Sequence, residues 1–214
     1  MTAQLQLALD DITYTAAVEL LHLVEGYIDI VEVGTPLMMR YGMAVVADLK
    51  RNFPQLDLLC DTKIMDAAAM ETRLAFNAGA DYVTVLAVTD DSSIAECVRT
   101  ANDVGRKIMA DMICVPDLPR RANELHEAGV HVIAVHTGVD QQARGRTPLD
   151  DLQTLTTSVP SAAVAVAGGI DLDTASSYLA HDPAILIIGS GITQAADPAA
   201  TTRDLRRMIE GANR

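Results

Sequence analysis

The chain contains no tryptophan, only two phenylalanines and only three cysteines. With aromatics at 3 % of 214 residues, Ala, Val, Leu and Ile must fill the core. Such small interdigitating side chains suit the layers of an α/β fold. Cys60, Cys97 and Cys114 are odd in number and lack C-x-x-C spacing, which argues against a disulfide framework and against a structural zinc site and leaves reduced thiols. No stretch approaches the roughly 20 uninterrupted apolar residues a membrane span needs. No basic region leads into an apolar signal segment at the N-terminus, so the expected location is the cytoplasm. Positive charge is scarce too. Sixteen Lys and Arg against 29 Asp and Glu leave a formal net charge of −13, which repels nucleic acid and anionic membranes while still allowing a local pocket of backbone amides to hold phosphate.

What is abundant is apolar sequence, half of all residues, arranged in eight short runs at roughly 25-residue intervals, each followed by a turn and a stretch of helical period. The runs place strands near Leu5–Ala8, Ile28–Val33, Leu56–Thr62, Tyr82–Leu86, Lys107–Met112, Val132–His136, Ala162–Ala167 and Ile185–Ile188. Asp66 is positioned to cap a helix over Ala67–Ala78 with Gly79 as its stop, and Gly105 and Gly129 read as similar stops. Eight βα units in this length predict one (β/α)8 TIM barrel domain spanning 1–214; a doubly wound open sheet would need fewer strands.

A barrel gathers its reactive groups at the carboxyl ends of its strands. Here those ends carry Asp10, Glu32, Asp61, Lys63, Asp111 and His136, with Gly168-Gly169 after strand seven and Gly189-Ser190-Gly191 after strand eight. The most telling segment is Asp61-Thr62-Lys63-Ile64-Met65-Asp66, a D-x-K-x-x-D pattern at the end of the third strand. Strand alternation puts Asp61 and Lys63 on one face, and opposite charges on a buried face must pair, bind a metal or do chemistry. A single strand-end acid, histidine or glycine pair reads as a cap, a structural hydrogen bond or a turn; four acids, a lysine and a histidine on one rim do not. The two glycine segments predict a phosphorylated small molecule, because bare backbone N–H groups after the last two strands of a barrel hold a dianion. His22, His126, His131 and His181 fall outside the rim and receive no role, and Met38 and Met39 read as packing.

Ala8-Leu9-Asp10, Ile30-Val31-Glu32-Val33-Gly34-Thr35-Pro36, the D-x-K-x-x-D segment, Ala78-Gly79-Ala80-Asp81, Val135-His136-Thr137-Gly138, Val166-Ala167-Gly168-Gly169-Ile170 and Asp197-Pro198 together resemble the orotidine 5′-monophosphate decarboxylase superfamily, in order over nearly the whole chain. Within it the pattern is most similar to the 3-hexulose-6-phosphate synthase group. That resemblance implies a lyase of the aldolase type: ribulose 5-phosphate loses a proton at C1, and the enediolate attacks formaldehyde to give arabino-3-hexulose 6-phosphate. It implies magnesium or manganese held by Glu32 and Asp61, Lys63 beside the developing enediolate oxygen and His136 in proton transfer. Asp111 and Asp10 join the charged network, and Gly169, Gly189 and Ser190 hold the phosphate. Asp66 matches an aspartate that reaches into the partner subunit's site, which implies a homodimer.

The same scaffold also serves 3-keto-L-gulonate 6-phosphate decarboxylases, which carry Glu where this chain has Asp111 and Arg where it has Val139; both positions favour the synthase group. Against it, Ile64 stands where the synthase pattern has Thr, and Ser190 where the decarboxylases carry a phosphate-contacting Arg, a role open to Arg144 or Arg146. Orotidine monophosphate decarboxylation, which needs no metal, is disfavoured by Glu32 and Thr137-Gly138. A barrel that binds sugar phosphate without turnover is the reading from a different functional class.

Overall fold

A computed structural model of the chain describes residues 2–212. Eight parallel strands, β1 (Gln4–Leu9), β2 (Ile30–Val33), β3 (Asp57–Ile64), β4 (Tyr82–Leu86), β5 (Lys107–Asp111), β6 (Val132–His136), β7 (Val164–Ala167) and β8 (Ile185–Ile188), pair in sequence order. Pairing of β1 with β8 closes the barrel, as the eight βα repeats predict. Helices occupy the intervals, and several begin on the side-chain caps expected of short polar residues: Thr13 before 14–24, Asp90 before 91–103, Asp117 before 118–127 and Asp197 before 198–211.

Strand alternation divides the core in two. Leu5, Leu7, Val31, Val33, Leu58, Cys60, Val83, Val85, Val164 and Val166 point outward and pack under the helices. Ala8, Ile30, Leu59, Tyr82, Met109, Val132, Ala134, Ala165, Ile185 and Ile187 fill the barrel interior. Ion pairs brace the amino-terminal end. Asp81 accepts from Lys50 Nζ (2.7 Å) and Leu58 N (2.9 Å) and pairs with Arg106, and Asp29 accepts from Leu5 N (2.7 Å) and Arg206 (2.5 Å). This bracing lies at the end opposite the rim that carries Asp61, Asp111 and His136.

β4, β6 and β8 have the expected bounds, and Gly79, Gly105 and Gly129 end helices with positive φ. β2 begins at Ile30 and β7 at Val164, each two residues later than the apolar run suggests. The D-x-K-x-x-D segment departs further from expectation. β3 runs on to Ile64, its register with β4 shifts after Cys60, and Lys63 is left-handed with φ 48°. A second left-handed residue, Ala67 (φ 50°), is the N-cap of the helix at 68–77, so Asp66 does not cap that helix; its Oδ1 instead accepts from Ala67 N at 2.7 Å. Met39 is not packing: it is 82 % exposed. Among the described residues no helix is long and apolar enough to cross a membrane.

Candidate active site

The carboxyl ends of β3, β5 and β6 bring four ionisable groups into contact. Asp61, buried at the end of the regular part of β3, is fixed from three sides. Thr35 Oγ1 lies 2.8 Å from Oδ2, Thr84 Oγ1 donates to Oδ1 at 2.8 Å, and Lys63 Nζ donates to Oδ2 at 2.5 Å. Lys63 can adopt its left-handed backbone, which costs of the order of 1–3 kcal/mol for a residue with a Cβ, because Thr84 Oγ1 accepts its N–H at 2.9 Å. Its ammonium spans Asp61 and Asp111, the latter at 3.5 Å. Burial pulls that ammonium down, but the two carboxylates outweigh burial and hold it above its ordinary range.

Asp111 continues the series. Burial raises its carboxyl, yet the hydrogen bond and charge of His136, the charge of Lys63 and the N–H of Ile113 outweigh this and keep it below the ordinary carboxylate range. His136 Nδ1 is 2.9 Å from Asp111 Oδ2. An ionised carboxylate only accepts, so Nδ1 is the donor in this contact and Nε2 is the nitrogen left to exchange a proton with a ligand. An imidazole, the carboxylate that orients it and an ammonium therefore line one side of the barrel mouth.

The other side is acidic. Burial first, then the charges of Asp61 and Asp10, push the Glu32 carboxyl up to about 8. Solvent reaches Asp10, but burial of its carboxyl in the barrel mouth and the neighbouring Asp61 raise it as well. Asp10 is wedged between Gly34 and Gly189: a Cβ added at either would meet its carboxyl. The crowding of Glu32 by Asp61 and Asp10 is a repulsion that a divalent cation held by two of these carboxylates would relieve. No group of three or more His, Cys, Asp or Glu side chains among the described residues is arranged as a metal cage. Glu32 and Asp61 offer two carboxylates, the donor set of a Mg2+-type ion that takes its other ligands from water and substrate.

The two glycine segments lie against each other. Gly168 and Gly169 are left-handed (φ 124° and 69°), and a Cβ on Gly168 would come within 2.5 Å of Thr137 O. A Cβ on Gly191 would come within 2.5 Å of Ile170 O, so the loops after β7 and β8 touch backbone to backbone. Ser190 is exposed at the start of the short helix 190–193. Arg146 pairs with Asp151 at 2.8 Å, and both Arg144 and Arg146 are exposed. Asp66 is exposed and, among the described residues, in no ion pair. His131 lies at the opposite end, where Nδ1 accepts from Ile108 N.

Sequence reasoning missed three groups, Thr35, Thr84 and Gln6. The signal for Thr84 and Gln6 is a polar residue in an otherwise apolar strand, one strand away from a rim acid, whereas Thr35 begins the helix after β2 and carries no such mark. Thr84 is buried on β4 beside Asp61, and Gln6 is buried on β1 and donates to Glu32 Oε2 at 2.6 Å.

Residues 3–205 match the model of the Orotidine 5′-phosphate decarboxylase / HUMPS family. The chain is 45 % identical over 206 residues to a 3-hexulose-6-phosphate synthase of Bacillus subtilis (strain 168), covering 96 % of this chain and 98 % of that protein. It superposes with a TM-score of 0.96 and 46 % identity on the crystal structure of 3-hexulose-6-phosphate synthase from Salmonella typhimurium, covering 98 % and 99 % of the two chains. A 3-keto-L-gulonate-6-phosphate decarboxylase from Vibrio cholerae gives 0.86 at 28 % identity, covering 99 % of each.

Proposed function

Because the chain belongs to the Orotidine 5′-phosphate decarboxylase / HUMPS family, we propose that the contacts at its barrel rim carry out the aldol chemistry for which the synthases it resembles are named. The reaction joins ribulose 5-phosphate to formaldehyde and gives arabino-3-hexulose 6-phosphate. The observation that carries this reading is the unbroken run Asp61–Lys63–Asp111–His136, set in a chain 45–46 % identical over nearly its full length to 3-hexulose-6-phosphate synthases.

His136 Nε2 takes the C1 proton of the bound pentulose, and Asp111 holds the imidazole by Nδ1 and balances the imidazolium that forms. Lys63 places its ammonium against negative charge that appears on oxygen only as the proton leaves, so its effect falls on the transition state. The C1 carbanion then attacks the formaldehyde carbon, a carbon–carbon bond forms, and the former carbonyl oxygen takes a proton to become the new hydroxymethyl group. Formaldehyde offers little surface to bind, so the phosphate must supply much of the anchoring. Gly169, Gly189 and Ser190 are assigned to it.

Glu32 and Asp61 would hold the divalent cation, Mg2+ or Mn2+; when bound, such an ion supplies positive charge against developing oxyanions. A homodimer completes the site. Among the described residues Asp66 is in no ion pair, and the segments after β2 and β3 expose Met39 (82 %), Met70 (58 %) and Leu74 (52 %), apolar area suited to a second copy. Asp111 and Val139, where the decarboxylases of this fold carry Glu and Arg, disfavour decarboxylation of 3-keto-L-gulonate 6-phosphate.

The test is to follow formaldehyde loss in a mixture of protein, ribulose 5-phosphate and Mg2+, with an EDTA control and a parallel assay on 3-keto-L-gulonate 6-phosphate. Consumption that EDTA abolishes supports the whole reading. Consumption that EDTA leaves untouched removes the cation. Carbon dioxide from the ketogulonate phosphate without formaldehyde consumption replaces the synthase by the decarboxylase.

A further inference from the structure

Gln6 is fully buried in the barrel interior, where its neighbours across the ladder are Ile30 on β2 and Ile187 on β8 and the surrounding layer is apolar. Its Nε2 donates to Glu32 Oε2 at 2.6 Å, while its Oε1 is buried with no hydrogen-bond partner. A buried acceptor without a partner costs stability, and a methionine or leucine of similar size would fill the same layer without that cost. Stability therefore does not account for an amide at this position, whereas the bond to Glu32 does. Glu32 is crowded by Asp61 and Asp10, and among the described residues the Gln6 amide is the group that hydrogen-bonds its carboxylate against swinging away from them.

We propose that Gln6 is a positioning residue for the cation: from beneath the rim it clamps one oxygen of Glu32, fixing the carboxylate so that the other oxygen is presented to the metal beside Asp61. This rests on the reading of Glu32 as a ligand. Outer-shell hydrogen bonds of this kind hold a ligand in its binding orientation before the metal arrives, and their loss costs about 10–100-fold in affinity. The amide on the first strand thus belongs to the metal site although it cannot itself reach the substrate from its buried place.

The experiment titrates Mn2+ alone into EDTA-stripped, full-length protein and reads free Mn2+ by electron paramagnetic resonance, for wild type, Gln6→Met and Gln6→Leu. Two variants of different shape separate the lost donor from altered packing, and thermal unfolding of each stripped protein reports the fold. Both variants are expected to bind Mn2+ about 10–100-fold more weakly. Raising Mn2+ should restore their kcat with the KM for ribulose 5-phosphate unchanged. Wild-type affinity in either folded variant overturns the role of Gln6 and leaves Glu32 as a ligand; absence of Mn2+ binding by the wild type overturns the ligand reading of Glu32 and this inference with it.

Discussion

Gly34→Ala tests how closely the ends of β1 and β2 are set. Gly34 has φ −64° and ψ 156°, a conformation open to any residue, so glycine is not required there by the backbone. It is required by space. An added Cβ would fall on Asp10 Oδ1 and lie 2.7 Å from Leu9 O and 2.8 Å from Asp10 Cγ. The Asp10 carboxyl can rotate away, but Leu9 O cannot, because it accepts the Gly34 N–H at 3.0 Å in the same strand junction. Forcing a methyl group into such a place costs about 1–3 kcal/mol, which for a domain of this size is a fall in Tm of about 2–4 °C per kcal/mol. The displaced Asp10 carboxyl should lower kcat as well. Gly26→Ala is the control, since nothing lies within 4 Å of a Cβ there, and it should stay within about 0.5 kcal/mol of wild type. Adding Asp10→Ala to Gly34→Ala should recover only part of the loss, because the clash with Leu9 O persists. Wild-type melting and wild-type kcat for Gly34→Ala would refute both the strand spacing and the claim that Asp10 has one fixed place.

Stability in EDTA should fall as pH rises from about 4.5 to about 8. Folded Glu32, pushed up to about 8, keeps a proton that the unfolded chain has already lost, so rising pH favours unfolding throughout that window. Thermal melts at both ends should show Glu32→Gln flattening the slope; an unchanged slope would remove Glu32 as its source. Asp111→Asn keeps the shape but not the charge beside His136 and Lys63, and kcat should drop by about 10²–10⁴-fold with little change in KM, measured by steady-state formaldehyde consumption. Mixing inactive Lys63→Ala and Asp66→Ala proteins after subunit exchange should restore about a quarter of wild-type activity, since half the dimers would be mixed and each would hold one native site. No recovery would place Asp66 in its own subunit's site or in none.

The barrel was legible because each strand is a short apolar run and each rim residue sits where such a run stops: Tyr82–Leu86, Val132–His136 and Ile185–Ile188 have the bounds the residues suggest. The backbone of the D-x-K-x-x-D segment was not. Alternation brings Lys63 to Asp61, but the contact is reached through a left-handed lysine after a register shift. The groups that support it, Thr84 Oγ1 and Asp111, lie 21 and 48 positions along the chain. Ala67 overrode the cap expected of Asp66 for a similar reason, since a left-handed alanine carries no local signature that marks it in advance. Gln6 was hidden because a polar residue in an apolar strand gains its meaning only from the partner across the ladder, Glu32.

His136, oriented by Asp111, is assigned the removal of the C1 proton of a bound pentulose phosphate. It is tested most directly by proton NMR of ribulose 5-phosphate in D2O with protein and Mg2+ but no formaldehyde. The wild type should wash out a C1 proton, and His136→Gln should slow the exchange by about 10²-fold or more. Retention of both C1 protons with active wild type, or exchange by His136→Gln at the wild-type rate, would contradict the account.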